Sequence, residues 1–210
     1  MLKETTRQAI LDAARSEFQE KGYENASMRT IAEKAGITVG NIYRYFKDKD
    51  DLNAHIISDV SERIEKIFNS LKLNALSKEP RVFNMTTDPI QLEKMMDQLS
   101  GLLVELFFEK EEEFKILLND ENLNQKMRDW FENTIRDLIS QTYSIPDRKE
   151  ERDILSHAYA RAAFDGLKDI FMNTRKDKML LLSMTRSYLN NFMKMVNDAY
   201  SIRKFYWCYW

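Results

Sequence analysis

Residues 36–49 read GITVGNIYRYFKDK. Threonine, asparagine and tyrosine supply groups that donate and accept hydrogen bonds. The rings supply flat apolar faces, and the run finishes on cations. Such groups suit base-pair edges, thymine methyls and phosphate oxygens. Glycine at 36 and again at 40 does not fit a plain amphipathic helix, and no two-residue alternation marks a strand.

Other chemistries lack their residues. Cys208 is the single cysteine, which excludes an internal disulfide and a cysteine-based metal cluster. His55 and His157 are far apart and form no H-x-x-x-H pair. No G-x-S-x-G, P-loop or nucleophile–base motif is present, so an enzyme is the least favoured class and no cofactor or metal is expected. The acidic run EKEEEF at 109–114 reads as a solvated turn, and His55 as an ordinary helix histidine.

Composition sets the frame that positions these groups. The chain has 210 residues, 43% hydrophobic and 31% charged, with five glycines and three prolines. That fits long helices with short connections better than a many-stranded sheet. Formal net charge is -2, without the basic excess usual in a nucleic-acid binder. Residues 1–50 carry nine Lys/Arg against eight Asp/Glu, and the remainder 23 against 26. The N-terminus mixes charge into its apolar residues, so no secretory signal is read there. No run approaches a membrane span, and a soluble cytoplasmic protein without membrane contact is expected.

Ile10, Leu11, Ala14 and Phe18 predict a first helix over 4–21, closed by Gly22. Ser27 caps a second helix, Gly36 closes it, and Thr38 is placed to cap a third over 39–45. Asp48 and Asp51 open a fourth helix running to about 72. Residues 73–89 read as a loop, and Asp88-Pro89-Ile90-Gln91 starts a fifth helix reaching about Phe108. Further helices are placed near 111–118, 122–143, 148–172 and 175–199, with capping pairs Asn122/Gln125, Asp147/Glu150 and Thr174/Asp177. The expectation is an all-α chain of about nine helices without internal repeats.

The second and third helices, joined by AGIT, have the length and turn chemistry of a helix-turn-helix. Two short helices around a glycine also occur in proteins that never meet DNA, and a tyrosine pair beside glycine serves packing in many of them. The run IAEKAGITVGNIYRYFKDKDDL, 31–52, is more specific. It resembles the DNA-binding signature of the TetR/AcrR family of bacterial transcription regulators, approximately IA-x-x-AG-[VI]-[ST]-x-G-x-[LI]-Y-x-[YH]F-x-x-K-x-x-L. Ile31, Ala32, Ala35, Gly36, Thr38, Gly40, Ile42, Tyr43, Tyr45, Phe46, Lys49 and Leu52 match. The resemblance covers about 50 residues and implies a DNA-binding domain at 1–48. DNA-contacting roles then fall on Ser27, Arg29, Thr30, Thr38, Val39, Gly40, Asn41, Tyr43, Tyr45 and Lys49, with Arg29 and Val39 at positions that vary in the family.

The resemblance also implies an effector-binding and dimerisation domain at 49–200, linked by the helix 49–72. Ala158, Ala162 and Gly166 form a small-residue stripe, and Leu181, Met184, Tyr188, Phe192 and Met195 a near-heptad seam. Two such helices from each subunit would pack as a homodimer on a palindromic double-stranded operator. Their alternative is the chain's own core. Leu99, Leu103, Phe107 and Trp130, with polar Thr134, His157 and Arg161, are candidates for a small, apolar effector; they too could be core or surface pairing. The aromatic tail 201–210 has no counterpart in the family pattern. The function expected is a ligand-responsive repressor. The alternative is a DNA-binding or interaction protein with no small-molecule effector.

Overall fold

The computed structural model describes residues 2–76, 89–142 and 149–206. Among them lie nine helices and no strand: α1 Leu2–Asn25, α2 Met28–Lys34, α3 Val39–Ile42, α4 Lys49–Leu76, α5 Pro89–Glu109, α6 Glu111–Leu118, α7 Glu121–Thr142, α8 Lys149–Asn173 and α9 Lys178–Tyr206. They form two compact units, Met1–Glu65 with Glu109–Asn124, and Lys66–Phe108 with Gln125–Trp210. The chain passes from the first to the second within α4.

In the first unit, Ile10, Ala14 and Phe18 of α1 close over Ile31 and Ala32 of α2, Ile42 of α3, Phe46 and Leu52, all buried. Fully burying a side chain of this size stabilises by roughly 1.5–3 kcal/mol. A charged clamp runs beside this core. Glu17, its side chain wholly buried, receives Lys21 at 2.9 Å and Lys34 of α2 at 3.0 Å, and Lys34 also reaches Glu20 at 2.9 Å. Burial opposes the Glu17 charge, but the two lysines outweigh it and hold the carboxyl below its ordinary range. The short α6 belongs to this unit through Arg15–Glu113 at 3.2 Å and Lys110–Asp59 at 3.9 Å. Its buried face is Phe114, Ile116, Leu117 and Leu118.

The second unit packs α8 against α9 and α5 against α9. Tyr188 donates to the Ala162 carbonyl at 2.5 Å. A methyl on Gly166 would overlap the Tyr188 ring and hydroxyl, so this glycine is what admits the close approach. Asp97 of α5 takes Arg186 at 2.9 Å and Asn190 at 3.3 Å. Across α7 and α8, Arg136 meets Asp153 at 3.1 Å and His157 meets Glu132 at 2.8 Å.

Several boundaries differ from the expectation, each for a local reason. Gly22 breaks the helical geometry of α1 (φ 73°, ψ 161°), but a last turn continues to Asn25. The third helix ends at Ile42 rather than 45, because residues 43–45 tighten into i→i+3 bonds, Arg44 N–H to Asn41 and Tyr45 N–H to Ile42. The last helix begins at Lys178, not 175. Asp177, not Thr174, is its cap, accepting the Leu180 N–H on its side chain at 3.0 Å. It also runs on to Tyr206 instead of stopping at 199, since no glycine or proline interrupts 178–206; the first six residues of the expected tail are helical. The capping expectations at Asp88 and Asp147, the side chains of Gln91 and Asn122, and the tail's end with Cys208 lie outside the described residues. No helix among the described residues is long and apolar enough to cross a membrane.

Candidate nucleic-acid interface

The segment 27–49 is built from its caps. Ser27 adopts extended backbone and its Oγ accepts the Thr30 N–H at 3.1 Å, starting α2. Substituting such a cap by alanine costs about 1 kcal/mol. At the other end Gly36 takes φ 69°. Its N–H donates to the Glu33 carbonyl at 3.1 Å, and Ile37 N–H donates to Ala32 at 3.0 Å. This 6→1 and 5→2 pair is the Schellman arrangement, and it requires the left-handed conformation that glycine adopts without steric cost. α3 then leaves on a new axis, held by wholly buried Ile42 and by Phe46.

With those anchors turned in, the opposite face is open. Ser27, Arg29, Thr38, Val39, Gly40 and Tyr43 are exposed, and Thr30, Asn41 and Tyr45 are half-buried. Tyr43 is 51% exposed, high for so large an apolar ring. Thr38 stands at the N-cap of α3 but its hydroxyl makes no cap bond, contrary to the capping role expected for it. Extended backbone alone starts the turn there, which leaves the hydroxyl for other partners. Nothing within the chain lies within 4 Å of where a Gly40 side chain would begin. Internal packing therefore does not require a glycine at 40; a surface approaching from outside would. Arg29 spends part of its charge on Glu33 at 3.1 Å.

Lys49 departs from the expectation. Its ammonium faces inward and donates to the carbonyls of Tyr23 at 2.7 Å, Glu24 at 3.2 Å and Ala26 at 3.2 Å. It sits 4.4 Å from the centre of the Tyr23 ring. The Tyr23 hydroxyl in turn donates to Asp50. Burial first, then that carboxylate, pushes the Tyr23 phenol well above its ordinary range. The start of α4 is acidic: Asp48 accepts the Asp51 N–H at 2.8 Å, and Asp51 accepts the Lys47 N–H at 2.9 Å.

Two exposed cations in the same segment had no role assigned from the sequence. Arg44 is exposed and has no ion pair among the described residues. The Lys47 side chain is 87% exposed, its nearest acid Asp48 at 4.0 Å. Their position on either side of Tyr45 and Phe46 was the available signal.

The remaining site candidates fall in the second unit. Leu99, Leu103 and Phe107 are buried on α5, and Phe107 packs 5.3 Å from Phe171. His157 and Arg161 are exposed on α8, and the side chains of Trp130 and Thr134 lie outside the described residues. Of the stripe and seam, Ala158, Ala162, Met184 and Met195 are exposed, Gly166 and Tyr188 half-buried. Leu181 and Phe192 are buried within their own unit, so they serve its core. Among the described residues no group of His, Cys, Asp and Glu could hold a metal ion.

Comparison with known proteins agrees with this geometry. Residues 10–56 match the model for bacterial regulatory proteins, tetR family. An HTH-type transcriptional regulator of Bacillus subtilis, YdgC, is 37% identical over 75 residues, 35% of this chain and 38% of that protein. An HTH-type regulator of Staphylococcus aureus is 49% identical over 51 residues, 24% of this chain and 28% of its own. These matches therefore span little more than a third of the relatives' length at most. In solved structures, a TetR-like transcriptional regulator from Rhodococcus sp. RHA1 superposes with TM-score 0.55 at 18% identity, covering 88% of this chain and 93% of that one. The TetR family regulator PfmR of Thermus thermophilus superposes with TM-score 0.53 at 19% identity, covering 88% and 97%. Both likenesses concern the fold.

Proposed function

We propose that this chain, which belongs to the tetR family of bacterial regulatory proteins through its N-terminal domain, binds double-stranded operator DNA as a homodimer and represses transcription until a small apolar effector releases it. The observation that carries the DNA-binding part is the outward face of α2 and α3. Thr38, Tyr43 and Arg44 are exposed there on elements fixed by buried Ile31, Ile42 and Phe46. In such a unit the second helix enters the major groove, and surrounding hydroxyls, amides and cations hold phosphates. Gly40 lets backbone approach the duplex. The family and the relatives' names point to regulation rather than catalysis.

Exposed Ala158, Ala162, Met184 and Met195 on α8 and α9 supply the surface for a second copy. A two-fold dimer would repeat the reader on a palindromic site, half-sites about one helical turn apart. Helix α4 is one of three places where the chain crosses between the two units, the others being Phe108–Glu109 in α5 and Asn124–Gln125 in α7. An effector acting through it must bind one arrangement better than the other, or no population shifts. A second reading has its own support. Leu99, Leu103 and Phe107 are buried, and Phe107 packs against the rings of Phe108 and Phe171, as a plain core requires; the helical unit would then only dimerise.

Selection of bound duplexes from a randomised library tests the central claim. A recovered inverted repeat supports it, and recovery of no enriched sequence refutes it. Long-chain fatty acids and flat aromatic compounds, added to the bound complex, separate the two readings: release by one class favours the effector, and no release by any favours dimerisation alone.

A further inference from the structure

We infer that Lys49 is a positioning residue, which sets the angle of the DNA-reading helix by seating its ammonium on the end of α1 rather than on a phosphate. This rests on the DNA-binding reading above and deepens it. An ammonium has three N–H donors. Here three carbonyls, those of Tyr23, Glu24 and Ala26, take them at 2.7, 3.2 and 3.2 Å. These carbonyls belong to the turn after Gly22, where the chain leaves α1 and heads for Ser27. A cation is favourable at such a carbonyl-rich end. The Tyr23 ring adds a face 4.4 Å away, and the ring is itself fixed by Phe18 at 5.5 Å and by the Asp50 carboxylate.

The seat joins three pieces of chain: the end of α1, the entry to α2 and the start of α4. One turn further along α4, buried Asn53 donates to Asp120 at 2.5 Å, extending the joint to the turn between α6 and α7. α3 hangs between α2 and α4, so its direction follows from theirs. The neighbouring groups make an outward swing unattractive. Asp48, Asp50 and Asp51 surround the start of α4, and a phosphate brought to Lys49 would meet their charge.

Arginine separates the two roles. A guanidinium serves a phosphate at least as well as an ammonium, and binds it through two donors. Its planar fork does not fit three carbonyls converging on one nitrogen. The full-length wild type and its Lys49→Met and Lys49→Arg variants would be titrated against the duplex selected by the wild type and against a scrambled duplex, at several salt concentrations, with melting curves in parallel. Both variants should lose at least tenfold in affinity for the selected duplex, keep their affinity for the scrambled one within about threefold, and leave the salt slope unchanged. The inference is overturned if Lys49→Arg binds like the wild type while Lys49→Met loses about one unit of slope per protomer, the mark of a lost phosphate contact at roughly 0.9 per charge. Should both variants melt below the working temperature, the wild-type Lys49 ammonium resonance decides. Bonds to carbonyl carbons that persist on adding duplex support the seat, and coupling to phosphorus refutes it. A wild type that enriches no duplex instead brings down the DNA-binding reading itself, and this inference with it.

Discussion

Tyr43 and Gly40 separate the work of folding from the work of binding. Tyr43 is 51% exposed, so Tyr43→Ala should leave the melting temperature within about a degree or two of wild type, as surface changes usually stay within about 0.5 kcal/mol. The same change removes a hydroxyl and a ring from the face offered to DNA. Affinity for the selected duplex should fall at least tenfold by fluorescence anisotropy. Gly40→Ala is the sharper case. The site has room within the chain, and alanine is the better helix former by about 0.5–1 kcal/mol. The variant should therefore be as stable as wild type or more so, yet bind DNA more weakly. Equal affinity would show that the duplex does not approach that backbone. Reading single residues from the sequence succeeded where chemistry and position coincide, as at Ser27 and Gly36. It did not foresee the bonds of the Lys49 ammonium, because only the path of the chain after Gly22 brings three carbonyls under it.

Among the elements, α1 and α2 depend on a charge buried at their seam. Glu17 has its side chain wholly out of solvent with Lys21 and Lys34 on its two oxygens, and Glu20 is also held low, chiefly by Lys34. A carboxyl whose folded value lies below its unfolded one contributes stability above the ordinary value of 4.5, and loses it as pH falls through the lowered value. Thermal melts should therefore drop on the acid side of pH 4.5, and Glu17→Gln should flatten that drop while lowering the plateau near neutrality. The substitution leaves Lys21 46% exposed and Lys34 29% exposed and still paired with Glu20, so the loss at the plateau should be smaller than for a fully buried ion pair. A plateau unmoved by the substitution would show that the clamp contributes nothing net. Helix positions themselves were largely legible, since apolar spacing and caps are local signals: Asp48 with Asp51 marked α4, and the Glu111–Leu118 helix lies where it was expected. The errors came where two local signals competed. Thr174 and Asp177 both suit a cap, and Asp177 won because its carboxylate reaches the Leu180 N–H while the Thr174 N–H is spent on closing α8 at Ile170. The seam on α9 was legible as apolar, but its periodicity could not say that Leu181 and Phe192 turn inward while Met184 and Met195 face out.

For the whole molecule the governing quantity is charge, and it predicts how DNA binding responds to salt. The chain is net -2, and several cations near the reader are already spent: Lys34 on Glu17 and Glu20, Lys21 on Glu17, Lys49 on carbonyls. Arg44 and Lys47 are exposed in the reading segment, and Arg29 is 81% exposed beside Glu33. Each phosphate neutralised contributes about 0.9 to the slope of log affinity against log salt. With these three side chains per protomer and two protomers on the site, the slope should be about -5, shallow for a dimeric reader, and scrambled DNA should be bound weakly at physiological salt. Specificity must then come from the hydroxyls, amide and rings of residues 38–45 rather than from a basic surface. Anisotropy titrations between about 50 and 200 mM salt, over which the Debye length roughly halves, measure it directly. Losing Arg44 or Lys47 to alanine should flatten the slope by about two units in the dimer. A wild-type slope near -9 would mean that cations elsewhere on the chain grip the duplex, and the reading face would have to be redrawn to include them.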